Sequence, residues 1–123
     1  MIFGIGVDIC KTSRFADWIG NEKIISRFFN EKEILQNPSE KLLLEHYSSR
    51  FAVKEAFGKA LGTGLRGFSL TDIYVIKNVE GKPELKVTGN ANKILKEKCG
   101  DCKIHLTISH ETEYAIAYII IEC

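Results

Sequence analysis

A chain of 123 residues, 45% hydrophobic and 27% charged, has room for one hydrophobic core and the composition of a folding sequence, which excludes a disordered or fibrous protein. A formal net charge of +1 gives no global field for nucleic acid, so any anionic partner must meet a local patch. No apolar run approaches the roughly 20 residues of a membrane-spanning helix. The opening residues lack the features of a secretory leader, and Cys10, Cys99, Cys102 and Cys123 lack the spacing of a secreted disulfide framework, so the expected location is cytoplasmic.

Residues 2–9 read as a strand with Phe3, Ile5, Val7 and Ile9 on one face and Ile2, Gly4, Gly6 and Asp8 on the other. The second face is nearly bare, which admits either close approach of a ligand or a tight crossing by another element. From 11 to 36 the pattern is helical but broken, with Asn21 a candidate N-cap and Asn30 with Glu33 a candidate capping box. Asn37-Pro38-Ser39 interrupts it and offers Ser39 as the cap of a long helix over 40–61, ended by Gly62 and Gly64. Strands follow at 72–78 and 84–87, joined by a turn over 79–83, then a helix over 90–99 stopped by Gly100. Two further alternating strands, 103–109 and 114–121, are linked by His110-Glu111-Thr112-Glu113. The order strand, helices, two strands, helix, two strands defines an α+β class, and the lack of a linker or repeat predicts one domain over 1–123.

Several side chains in this frame carry chemistry. Glu55 and Lys59 lie one helical turn apart beside Leu44 and Phe51, which makes them either an ordinary surface pair or a partly desolvated functional one. Arg50 and Lys54 are stacked in the same way, and two cations so placed need an anion or an acidic neighbour unless both reach for water. Asp8 and Glu55 suit Mg²⁺, an ion that one or two carboxylates hold while water and phosphate oxygens fill the remaining positions. His110, next to Ser109, closes the series Ile104, Leu106, Ile108 at the rim of a buried face. Cys99, Cys102 and His105 could suggest a zinc or redox centre, but a fourth ligand is missing and loop cysteines are the simpler account. Lys11, Arg14, Lys23, Arg27 and Lys32 give the broken helical region a basic patch, diluted by Asp17 and Glu22.

Taken together, Gly4-Ile5-Gly6-Val7-Asp8-Ile9, the run RFAVKEAFGKA from Arg50 to Ala60, Gly62-Thr63-Gly64 and Thr107-Ile108-Ser109-His110 resemble the holo-acyl carrier protein synthase group of short, single-domain phosphopantetheinyl transferases. The resemblance spans almost the whole chain. It implies an antiparallel sheet packed against a long central helix, and a homotrimer with active sites between subunits. The activity implied is transfer of 4′-phosphopantetheine from coenzyme A to a serine of apo-acyl carrier protein. That reaction releases adenosine 3′,5′-bisphosphate, depends on Mg²⁺ and serves fatty acid biosynthesis, with no role for nucleic acid or membrane. By the same resemblance Asp8 and Glu55 hold the metal, and Lys59 completes the catalytic set by neutralising the pyrophosphate. Arg50, Lys54, Lys59, Gly81, Lys82, Pro83, Ser109 and His110 hold coenzyme A, and Arg14 contacts the carrier protein. Two other functions use the same residues: a metal-dependent hydrolase of nucleotide diphosphates, with water as acceptor, and a coenzyme A-binding module without turnover.

Overall fold

In a computed structural model that describes residues 1–123, the local signals act where the sequence places them. The first strand, β1 (Ile2–Lys11), runs into a 3₁₀ segment, Thr12–Trp18. Asn21 then caps α1 (Glu22–Phe28) by accepting a hydrogen bond from the Ile24 N–H. A 3₁₀ turn, Glu31–Glu33, carries the Asn30–Glu33 capping box. Ser39 caps the long helix α2 (Glu40–Leu61), which ends on Gly62 in the left-handed region at φ 87°, where a side chain would be strained.

The second half is an alternation of ribbons and one helix. A short 3₁₀ turn, Leu70–Asp72, leads into β2 (Ile73–Lys77) and β3 (Pro83–Val87), then α3 (Gly89–Cys99), β4 (Lys103–His110) and β5 (Tyr114–Glu122). The expected antiparallel sheet is present as β1-β5-β4, with β1 and β4 both paired to β5. The hairpin β2-β3 forms a separate two-stranded ribbon instead of extending that sheet. No helix is long and apolar enough to cross a membrane.

Helix α2 lies across the inner face of the three-stranded sheet, and the glycines of β1 decide how closely. A Cβ on Gly4 would stand 1.9 Å from the Ala60 carbonyl oxygen, and one on Gly6 1.9 Å from that of Ala56. The bare face of β1 therefore admits a helix backbone, and ligand approach is not the use the fold makes of it. Alanines at 52, 56 and 60 complete the fit, all nearly or fully buried. As a consequence, the alternate face of β1 points outward: Phe3, Ile5, Val7 and Ile9 are 40%, 57%, 49% and 57% exposed. Ile116 and Tyr118 of β5 continue this apolar outer surface.

At the other end of α2 an aromatic cluster fixes the broken helical region. Phe15 meets Trp18 edge to face at 4.8 Å, Trp18 stacks on Phe28 at 5.0 Å, and both Phe15 and Trp18 reach Phe51. Pairs of this kind contribute about 0.5–1.5 kcal/mol beyond burial alone. They hold the 3₁₀ segment and α1 against α2, and thereby set the position of Arg14.

Candidate active site

Asp8 sits on the inner face of β1, facing α2. From that helix Lys59 donates to Asp8 Oδ1 at 3.3 Å and to the Val7 carbonyl at 3.0 Å. Side chains on a helix tilt toward its N-terminus, so the Lys59 stem bends back over the turn that carries Glu55. The second Asp8 oxygen accepts from the Cys10 thiol at 3.3 Å. Burial, followed by the charge of Asp8, pushes that thiol up to about 12, which keeps it protonated as a donor. Cys10 had no role in the sequence reading, although its place two residues from Asp8 on one strand face was the available signal.

Glu55 completes the cluster. Its carboxyl is half-buried and shifted up, first by desolvation and then by the negative charge of Asp8, against the opposing pull of Lys59 and Arg14. Arg14 lies over the rings of Phe51 and Phe15, 5.4 and 5.6 Å from their centroids, so the aromatic cluster holds its guanidinium near the acids. Two neighbouring carboxylates, one of which raises the other's affinity for protons, form a donor set suited to a hard divalent cation. The chain has no cluster of three or more His, Cys, Asp or Glu side chains placed to hold a metal. That disposes of a zinc centre at Cys99, Cys102 and His105, and the imidazole of His105 instead meets Glu122 at 2.9 Å.

Lys54 is a correction to the expected coenzyme A contacts. Its ammonium is fully buried and donates to Glu33 Oε1 at 2.7 Å, to the Leu70 carbonyl at 2.9 Å and to the Ile73 carbonyl. Glu33 in turn accepts from the N–H groups of Asn30 and Val75. All three lysine donors are used, and no face of the group reaches solvent or phosphate. The acidic neighbour that Arg50 and Lys54 required is thus Glu33, a capping-box residue whose carboxylate ties α2 to β2.

The remaining expected contacts fall into two further places. Arg50 lies five residues, about 140° of helix, from Glu55 and so faces a different flank. Its Nη1 donates to Ser49 Oγ at 3.0 Å, while its Nε is buried without a hydrogen-bond partner. On the same flank, burial and then the charge of Arg50 lower the His46 imidazole to about 4, with a smaller push from Lys77. Lys77 pairs with Pro83, so the turn bearing Gly81, Lys82 and Pro83 belongs to the Arg50 side. His110 stands 3.7 Å from Glu45, ten residues and about 15 Å along α2 from Glu55, with exposed Ser109 beside it. The register Cys10–Ala115–His110 places the histidine two strands, about 10 Å, from Cys10.

One chain therefore assembles Asp8, Glu55, Lys59 and Arg14, but does not bring Arg50, the 81–83 turn or His110 into contact with them. Nor do these acids line the main hollow of the chain, about 580 Å³ between α1 and the start of α2, which is walled by residues such as Ile25, Leu43 and Tyr47. Within the acid cluster Lys59 is exposed, while Asp8 and Glu55 are half-buried.

Comparison with known proteins covers the whole chain. Residues 4–119 match the family model of the 4′-phosphopantetheinyl transferase superfamily. A holo-acyl-carrier-protein synthase of Treponema denticola is 46% identical over 123 residues, covering 99% of both chains. Among solved structures, a holo-acyl-carrier-protein synthase of Bacillus anthracis in complex with coenzyme A (3′,5′-ADP) superposes with a TM-score of 0.79 at 34% identity, over 99% of this chain and 97% of the other. The corresponding enzyme of Neisseria meningitidis gives a TM-score of 0.85 at 32% identity over the full length of both chains.

Proposed function

Because the chain belongs to the 4′-phosphopantetheinyl transferase superfamily, as a holo-acyl carrier protein synthase that transfers phosphopantetheine from coenzyme A to apo-acyl carrier protein, we propose that Asp8, Glu55 and Lys59 carry the reaction, with Mg²⁺. The single observation that carries this reading is the meeting of Lys59 with Asp8 beside a Glu55 carboxyl raised by burial and then by the charge of Asp8. Asp8 and Glu55 would hold the ion, which supplies charge neutralisation at the pyrophosphate when bound.

A carrier serine attacks the pantetheine-side phosphorus and gives up its hydroxyl proton to solvent, and the bond to the oxygen of adenosine 3′,5′-bisphosphate breaks. Negative charge grows on the bridging and equatorial oxygens, so fixed cations accelerate the step without a protein nucleophile. Lys59, exposed over half its side chain and anchored on Val7 and Asp8, is placed to offer its ammonium to the leaving pyrophosphate oxygens. Cys10 keeps the Asp8 carboxylate oriented.

Arg50, Ser109, His110 and the 81–83 turn complete the coenzyme A site from a neighbouring copy in a homotrimer. Their separation from Asp8 within one chain supports this, as does the unpaired Arg50 Nε, a donor suited to a phosphate. The apolar outer face of Phe3, Ile5, Val7, Ile9, Ile116 and Tyr118 is the surface that such an assembly would cover. Arg14, beside the acids, receives the acidic carrier protein. Residues 1–123 act as one domain, in the cytoplasm, and the holo-carrier product feeds fatty acid biosynthesis.

The test is the mass of apo-acyl carrier protein incubated with the protein, coenzyme A and Mg²⁺. A gain of one phosphopantetheine arm is expected, lost with chelator. Release of phosphopantetheine without carrier modification would favour hydrolysis instead. Mixing inactive Glu55→Ala and His110→Ala chains should restore activity if sites lie between subunits, and continued inactivity would place each site within one chain.

A further inference from the structure

Three of the four cysteines gather at one end of the sheet, away from the acid cluster. The register Lys103–Glu122 between β4 and β5, extended by one position, sets Cys102 opposite Cys123. Cys123 exchanges both backbone hydrogen bonds with Met1, its N–H donating at 2.8 Å and its carbonyl accepting at 2.7 Å. On a central strand, a residue whose backbone groups point to one neighbour forms a non-hydrogen-bonded pair with the other. Opposed residues in such a pair have Cα atoms about 4.5 Å apart, inside the range of about 4.4–6.8 Å that a disulfide spans.

The faces agree as well. On β5 the buried residues are Ala115, Ala117, Ile119 and Ile121, and Cys123 continues that odd series. On β4 the inward series is Ile104, Leu106 and Ile108, which Cys102 continues in the other direction. Both thiols therefore lie on the helix side of the sheet, opposite the apolar outer face, and both line a shallow hollow with Asp101, Lys103 and Glu122. Cys99, the last residue of α3, packs against the same corner, and all three cysteines are free thiols in the structure.

We propose that Cys102 and Cys123 are a reversible disulfide pair, closed by a low-molecular-weight disulfide such as oxidised glutathione. The exposed Cys123 thiolate attacks one sulfur of the small disulfide and releases one small thiol, which takes up the Cys123 proton. Cys102, as thiolate, then attacks Cys123 Sγ and displaces the second small thiol, which takes up the Cys102 proton. The two protein thiols lose two electrons, and the small disulfide becomes two thiols. Cys99 and Cys102 are half-buried and Cys123 is exposed, which makes Cys123 the entry point. The closed bond ties the end of β5 to the α3–β4 turn.

Peptide mapping of the full-length protein without reductant, after incubation with oxidised glutathione, tests this directly. The expected product is a Cys102–Cys123 cross-link within one chain, reversed by dithiothreitol, formed in Cys99→Ser and absent in Cys102→Ser and Cys123→Ser. The oxidised protein should melt several degrees higher, because the bond closes a loop of roughly 20 residues. A stable glutathione adduct on Cys123 that never closes, a cross-link between two chains, or a Cys99–Cys102 bond would each overturn the proposal.

Discussion

Lys54 and Lys59 stand five residues apart on α2, and each meets a carboxylate from an earlier segment of the chain. The Lys54–Glu33 pair is buried at 2.7 Å, and every donor and acceptor is spent on the fold, on β2 and on the turn before it. The Lys59–Asp8 pair is looser, at 3.3 Å, and its lysine is 54% exposed beside a second acid that strains for protons. The chemistry of the two side-chain types is the same. Solvent access, and the number of partners already satisfied, separate a fastener from the residue proposed to act on substrate.

The largest expected effect falls on the open side. Glu55→Ala should lower the rate of carrier modification by about 10³-fold or more, the size of a lost metal site, with little change in melting temperature. A comparable loss of stability would blur the contrast, because Glu55 would then also be a fastener. On the closed side, Lys54→Met leaves the Glu33 carboxylate buried without its counter-ion and should cost about 3–5 kcal/mol in urea unfolding. The properly folded fraction of that variant should keep its coenzyme A affinity. A specific loss of coenzyme A binding would return Lys54 to the active site.

Smaller effects sharpen the same contrast. Lys59→Met should slow transfer by about 10–100-fold while changing stability by less than about 1 kcal/mol, as expected for an exposed pair. Acid should attack the closed side first. His46 donates to the Glu33 carbonyl and has its folded-state pKa lowered from 6.5 to about 4. The unfolded chain thus binds more protons between those values, and stability present above pH 6.5 is lost as pH falls toward 4. Between pH 7 and 5 the loss is about 2 kcal/mol by linkage. Urea unfolding of wild type and His46→Gln across that range should show the slope vanish in the variant, and an unchanged slope would assign it to other groups.

How much of this was legible in the sequence depends on the range of the signal. Helix-period spacing put Glu55 and Lys59 on one face, strand alternation put Asp8 beside Gly4 and Gly6, and the caps at Asn21, Ser39 and Asn30 all formed. These are local rules, and they held. The partner of Lys54 lies 21 residues away in a 3₁₀ turn, and no periodicity links the two, so the lysine read as a phosphate contact. The purpose of the β1 glycines was equally long-range: only the passage of Ala56 and Ala60 over them distinguishes helix packing from ligand approach. Likewise the separation of β2-β3 from the main sheet depends on how the ribbon meets α2, a tertiary matter that strand patterns do not encode.

The proposed function has the open pair working with Mg²⁺ while the buried pair only holds the helix in place. Its most direct test is the Mg²⁺ dependence of carrier modification, at saturating coenzyme A and carrier protein, in wild type, Glu55→Gln and Lys54→Met. Glu55→Gln should need at least about tenfold more Mg²⁺ for half-maximal rate, since one of two metal-holding carboxylates is lost, while folded Lys54→Met should match wild type. The same half-maximal Mg²⁺ concentration in wild type and Glu55→Gln, or full activity in excess chelator, would contradict the account.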